Sequence, residues 1–184
     1  MTEDALTDAI RDSFARATYT QKTFEKQLEI QCDNLVLYRW IRFCVIAITA
    51  TGAISAFVTD IYWTKLITAI FAVTSLVITL YGLGTKPEEI VSDLQRTARD
   101  LWYVREQYFH LLSDIKSGVI DTENIIRQRD RLSKELYEIY HDAPQTTSLA
   151  YKKAQQALKI NEEMTFTDNE IDSFLPASLK KNSP

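Results

Sequence analysis

The sequence contains few of the residues that make turns, strands and cross-links. Among its 184 residues are four glycines, four prolines and two cysteines. No Asn-Gly or Asp-Gly pair occurs, and no run alternates apolar and polar residues clearly enough to predict a strand. Cys32 and Cys44 are too few for a disulfide framework, and two free thiols suit a reducing cytosol. We therefore predict an all-α protein.

Motifs for catalysis, metal binding and phosphate binding are also missing. The two histidines, His110 and His141, stand in no metal-ligand or nucleophile–base spacing. The sequence has no glycine-rich phosphate loop and no CxxC pair. Its carboxylates alternate with Lys and Arg, as around residues 127–131, which is typical of a solvated helix face. We therefore predict no enzymatic activity, no cofactor and no metal site.

The balance of charge gives no reason to expect nucleic-acid binding. The formal net charge is −4 at pH 7, and no run of Lys or Arg exceeds two residues. A protein that wraps nucleic acid needs a basic surface to neutralise the phosphates. We therefore expect no direct contact with nucleic acid.

Charge is missing altogether from two long apolar stretches, residues 43–59 and 66–84. As helices they would be about 25 and 28 Å long, close to the hydrocarbon thickness of a bilayer, about 30 Å. The linker between them is too short for a domain, so the two stretches predict a transmembrane helical hairpin. The alternative is a buried helical pair in a soluble core, where such evenly uncharged helices are uncommon.

The flanks of the two stretches carry the aromatic and basic residues that mark membrane interfaces. The predicted membrane-interface anchors are Tyr38, Arg39, Trp40, Arg42, Tyr62, Trp63 and Lys86. Basic residues favour the cytoplasmic side, and the open ends of the hairpin carry three of them, whereas the linker offers Lys65 beside Asp60. We therefore predict that both termini are cytoplasmic.

Small and weakly polar side chains recur along one side of each predicted span. The five positions are Thr51, Ser55, Thr68, Ser75 and Thr79. Such residues let membrane helices approach closely, and their hydroxyls can bond across helices or to their own backbone. In an assembly of several hairpins the same residues could instead line a path that admits water. The sequence leaves helix packing and pore lining open.

Residues 85–184 continue as helices, and the first of these carries an apolar seam with 4-3-4-3 spacing. The seam residues are Ile90, Leu94, Leu101, Val104, Tyr108, Leu111 and Ile115, with Thr97 in register. Such a seam needs a partner helix, either the N-terminal helix of the same chain or a helix of another subunit. We predict a homo-oligomer and leave the seam's partner open.

The chain is thereby divided into three regions. Residues 1–42 are predicted to form a cytoplasmic amphipathic helix that continues without a breaker into the first span. Residues 43–84 are the two-span hairpin, and residues 85–184 are a cytoplasmic helical region.

The order of several short motifs gives a family resemblance that covers nearly the whole chain. They are Tyr38-Arg39-Trp40-x-Arg42, the two spans with a short outside turn, the stretch at residues 97–103, and Ala143-Pro144 followed by Tyr151-x-x-Ala154. In this order they resemble the SMODS- and SLOG-associating two-transmembrane effector (SLATT) family. The resemblance implies no catalytic residues.

The resemblance implies a bacterial antiviral effector in the inner membrane, a multi-pass protein that oligomerises and permeabilises or depolarises that membrane. The signal would come from a sensor or signal-generating partner: a nucleotidyltransferase, a SLOG protein or a reverse transcriptase. Two alternatives remain open, a non-conducting membrane anchor for a helical binding module and a holin-like toxin.

Overall fold

The computed structural model describes residues 3–58, 61–176 and 179–181, and the elements with defined bounds in those ranges are all α-helices. They are α1 (Glu3–Val58), α2 (Tyr62–Thr85), α3 (Pro87–Ser117), α4 (Thr122–Asp142), α5 (Ser148–Lys159) and α6 (Asp168–Phe174). The predicted all-α class is confirmed.

Helix α1 runs for 56 residues without a break, about 84 Å at the usual helical rise. It contains no proline, and its one glycine is Gly52. The predicted continuation of the N-terminal helix into the first span is therefore confirmed. Residues 43–58 of α1 pair with α2, and we call this pair the hairpin.

The ends of the later helices follow from local sequence. Pro87 occupies the start of α3, where its missing N–H costs nothing. Lys86, between α2 and α3, has left-handed backbone with φ of 45°. Gly118 ends α3 with φ of 66°, a conformation that glycine adopts without strain. Thr167 and Glu170 form a reciprocal capping box that starts α6.

The N-terminal part of α1 packs along α3, and α4 and α5 pack around this pair to form what we call the bundle. One apolar cluster is built from Leu6, Ile10, Ala17, Val104, Tyr108, Leu111, Ile125 and Leu132. A second, nearer the hairpin, is built from Phe24, Leu94, Ala98 and Leu101. The order of contacts along the two helices makes α3 antiparallel to α1.

The hairpin has no such core. Both of its helices are long and apolar enough to cross a membrane, and in their most apolar windows 6% and 0% of the residues are buried. Large side chains such as Phe57 and Leu83 are exposed. A soluble protein rarely exposes so large an apolar surface, so the surface fits lipid and not the core of a soluble protein.

Candidate functional site: the membrane hairpin and its junction with the bundle

The two hairpin helices approach each other closely at Gly52. A Cβ atom built on Gly52 would lie 2.6 Å from the Oγ1 atom of Thr68, too close for any real side chain. The glycine therefore allows α1 and α2 to pack with little space between their backbones, as small residues do in membrane helix pairs.

Three threonine hydroxyls of the hairpin are satisfied within their own helices. Thr51 donates to the carbonyl oxygen of Ala47 at 2.9 Å, and Thr68 donates to that of Thr64 at 2.8 Å. Thr79 makes the same four-residue bond to Ser75, also at 2.8 Å. Such bonds allow a hydroxyl to lie in an apolar environment without water.

The five small or weakly polar residues predicted to line one side of the spans, which we call the stripe, divide into two groups by exposure. Ser55, Thr68, Ser75 and Thr79 are half-buried, whereas Thr51 is exposed. Thr68 and Ser75 are seven residues apart, so they share a face of α2, and at Thr68 that face meets Gly52 of α1. Thr51 lies beside them in an open groove between the two helices that Ala47, Ile48 and Ile67 also line.

The open end of the hairpin is joined to the bundle by two polar contacts. The Tyr38 hydroxyl donates to the backbone carbonyl oxygen of Ile78 at 3.0 Å, and Gly82 leaves space for the Tyr38 ring. Arg39 pairs with Glu88, at 3.5 Å between Nη2 and Oε1, which connects α1 to the first turn of α3. These contacts link α1 to α2 and to the first turn of α3 at this end of the hairpin.

The remaining predicted anchors lie on exposed surface near the two ends of the hairpin. Trp40 packs edge-on against Phe43, and Tyr62 packs edge-on against Trp63. Arg42 is exposed, and Lys86 pairs with the nearby Glu89. The helix between Trp40 and Val58 is about 27 Å long, so the two aromatic levels are separated by roughly the hydrocarbon thickness of a bilayer.

The apolar seam of α3 faces its own chain. Leu94, Leu101, Val104, Tyr108 and Leu111 are buried in the two clusters that α3 forms with α1, the N-terminal cluster also including residues of α4. Ile115 is half-buried against the N-terminal cluster, and Ile90 is 40% exposed at the hairpin end of α3.

Sequence reasoning missed a set of buried polar residues in the middle of α1. Gln21, Lys22, Thr23 and Gln27 are all less than a tenth exposed. Arg105 of α3 donates to Gln21 at 2.8 Å, and Lys22 pairs with Glu163, which follows α5, at 2.9 Å. The sequence gives one sign of this set, since Gln21 occupies a position in the apolar register of the helix. It gives no sign of Lys22, because an isolated lysine on a helix is normally solvated.

Comparison with known proteins gives the chain a family. Residues 6–170 match the family model described as SMODS and SLOG-associating 2TM effector domain family 4. No curated protein and no solved structure shows a significant match. The matched range includes the bundle, both hairpin helices and the start of α6, and its two transmembrane segments correspond to the two apolar helices. The chain therefore belongs to the SMODS- and SLOG-associating two-transmembrane effector family and is a membrane protein.

Proposed function

We propose that this protein is a membrane effector of bacterial antiviral defence, which permeabilises or depolarises the inner membrane when a partner signals infection. The observation that carries the proposal is that a hairpin of two outwardly apolar helical segments is joined to a helical bundle through one unbroken helix. The hairpin supplies the membrane-active part, and the bundle supplies a surface on which a signal can act. Membership in an effector family supports this division.

The proposal includes self-association, which the surface that one hairpin leaves uncovered supports. Two helices cannot enclose a path for ions, so several copies are needed. The seam of α3 is already covered by α1 and α4, so contacts between copies would use the hairpin. There Thr51 and the groove beside Ala47 and Ile48 are open, and small residues favour helix association in lipid.

The orientation of the protein and the source of its signal are part of the same proposal. Arg39, Arg42 and Lys86 at the bundle end support a cytoplasmic position of the bundle and both termini, because basic residues favour that side of the membrane. A sensor or signal-generating enzyme would act there: a nucleotidyltransferase, a SLOG protein or a reverse transcriptase. The family description, which names SMODS and SLOG association, supports such a partner. The effect on the membrane requires no catalytic residue.

The hydrogen bonding of the hairpin favours a second candidate, a non-conducting membrane anchor. The hydroxyls of Thr51, Thr68 and Thr79 bond to their own helices, and most of the stripe is half-buried. Those features need no water path. In that case the hairpin would only hold the bundle at the membrane.

Membrane potential in bacterial cells separates these functions. The chain is expressed alone, with its neighbouring genes, and with those genes during phage infection, while a potential-sensitive dye is recorded. An effector depolarises cells only when its partner and the trigger are present. An anchor leaves the potential unchanged in all three conditions, and a holin-like toxin depolarises cells when expressed alone.

A further inference from the structure

Helix α5 is attached to α1 through a surface of alanines and a polar contact at its N-terminal end. Ala150, Ala154 and Ala157 are at most 1% exposed, and their spacing of four and three places them on one face. At the start of α5, the backbone N–H and hydroxyl of Thr147 both donate to the buried Gln27 side chain, at 2.9 and 2.8 Å.

The segment after α5, residues 160–167, is attached to α1 at its other end, and we call it the strap. Glu162 turns the chain with φ of 51°, and Glu163 then meets two lysines of α1. Its Oε2 atom lies 2.9 Å from Nζ of Lys22 and 3.6 Å from Nζ of Lys26. Further along, the Met164 sulfur accepts from Arg105 of α3 at 3.4 Å.

The surface beneath α5 and the strap combines buried polar residues with an incompletely filled, partly aromatic groove. Besides the buried glutamines and Lys22, it includes a groove of about 720 Å³ between α1 and α3. Phe14, Trp102 and Phe109 line the groove from below, and Phe166 of the strap lines it from above. Neither apolar cluster of the described chain includes a residue of α5 or the strap, so the contacts within both clusters do not depend on them. Release of α5 would expose its own small alanine face.

The energetics of the ion pair suit a contact that opens. The Lys22 side chain is 10% exposed, and burial of a paired charge brings little net stability, because desolvation offsets the attraction. When the strap leaves, water can solvate Lys22, and Glu25 on the same helix remains 3.0 Å away. Both the attached and the released arrangement therefore satisfy the charge.

We propose that α5 and the strap form a releasable cover over the polar face of α1, held closed by the Glu163 contact with Lys22 and Lys26. Closure of this cover restrains α1, and its release is the change that a signal brings about in the bundle. The restraining role rests on the proposed function, since the hairpin's effect on the membrane is what it restrains. The existence of the cover does not depend on the proposed function.

Hydrogen exchange on the full chain in lipid nanodiscs tests the cover directly. Glu163→Lys places a third ammonium beside Lys22 and Lys26, and Glu162→Lys makes the same charge change at the exposed neighbouring position. We expect Glu163→Lys to raise exchange in α5 about tenfold or more, because the new ammonium repels Lys22 and Lys26 where the carboxylate attracted them. Exchange in residues 98–111 of α3 should stay at the wild-type rate, and Glu162→Lys should match the wild type throughout.

Two results would overturn the cover. Equal exchange in the two variants would show that Glu163 does not hold α5, and a parallel rise in α3 would show that α5 does not open separately. The restraint is tested by recording membrane potential in cells without the partner, where Glu163→Lys should depolarise and Glu162→Lys should not. Release without depolarisation would overturn the restraint. A wild-type chain that never depolarises with its partner would refute the proposed function, and the exchange result would stand.

Discussion

The Tyr38 hydroxyl donates a hydrogen bond of 3.0 Å to the backbone carbonyl oxygen of Ile78, 40 residues away. The contact lies where the hairpin meets the bundle, and one turn further along α2 stands Gly82. A Cβ atom on Gly82 would overlap the Tyr38 hydroxyl. An aromatic ring on one helix and a missing side chain on the other therefore set the distance between α1 and α2 at this level.

Gly82→Ala should destabilise the hairpin because the new methyl group displaces Tyr38. Overpacking of this kind costs about 1–3 kcal/mol, which should lower the thermal unfolding midpoint of the detergent-solubilised protein. Gly84→Ala is the matched control, since a Cβ there meets nothing within 4 Å. Equal midpoints for the two variants would contradict the close contact, and truncating Tyr38 to alanine should restore tolerance at Gly82.

Thr68→Leu and Thr51→Leu should have different effects although both replace a stripe threonine. Thr68 faces Gly52 at close range, so the larger side chain should separate the helices and reduce the protein in the membrane fraction. Thr51 is exposed, so its replacement should leave the amount unchanged. If copies assemble around this face, Thr51→Leu should also reduce depolarisation in activated cells. Loss of both variants from the membrane would assign Thr51 to helix packing.

Tyr108→Phe should keep or increase the stability of the bundle. Tyr108 is fully buried, and in the described chain its hydroxyl has no hydrogen-bond partner. Removing a buried unsatisfied hydroxyl should gain about 1 kcal/mol in the free energy of unfolding. Leu101→Ala, at another fully buried seam position, should cost about 2–5 kcal/mol. Chemical denaturation measures both changes, and a loss of stability in Tyr108→Phe would reveal a partner such as a buried water.

Cysteine labelling from outside the cell should reach a cysteine placed at Thr64 and miss one placed at Ser113. The expectation follows from the basic residues Arg39 and Arg42 at the bundle end of the hairpin. Cys32 and Cys44 are replaced by serine to give an unlabelled background. Labelling at Ser113 and none at Thr64 would reverse the orientation.

The contact between the cover and α1 should be stable across neutral pH. The hydrogen bond from Lys22 holds the pKa of Glu163 below its ordinary value of 4.5. Burial lowers the pKa of Lys22, but hydrogen bonds to Glu163 and Glu25 outweigh burial and keep the pKa above 10.5. A carboxylate with a lowered pKa stabilises the closed contact at pH values above its ordinary pKa. An ammonium with a raised pKa stabilises the contact at pH values below its ordinary pKa.

Protection factors of α5 amides, which correct for the intrinsic pH dependence of exchange, should therefore be constant between about pH 5 and 10. They should fall as the pH drops below 4.5 toward the lowered pKa of Glu163, where its carboxylate takes up a proton. Glu163→Gln should remove the acid dependence. A fall near pH 6–7 would point to a different titrating group.

The helices and their ends could be predicted because their signals are local. Uncharged runs mark the hairpin, while Pro87 and Gly118 bound α3, and Thr167 with Glu170 starts α6. The N-terminal cap of α5 is Thr147, the residue directly before the first helical residue, Ser148. These features depend on neighbours in the sequence, so the sequence contains them.

The partners of these helices could not be predicted in the same way. The spacing of the α3 seam defines a face but does not say which helix packs on it. In the structure, α1 and α4 of the same chain pack on the seam. Lys22 looks like a solvated charge until Glu163 is brought beside it by the fold. Burial of a polar side chain depends on residues far away in sequence, so periodicity alone does not reveal it.

The unbroken course of α1 has a mechanical consequence. Gln27, under α5, and Thr51, in the hairpin, are on one continuous helix and about 36 Å apart along its axis. Torque applied near Gln27 is passed along the helix toward Thr51, since no loop between them absorbs the twist. A turn of about 100° would bring Thr51 to the direction that Gly52 faced before. Because a side chain does not fit against Thr68 there, the two hairpin helices would separate. Rotation of α1 by the bundle, outside the membrane, would thus change which residues of the hairpin contact the bilayer.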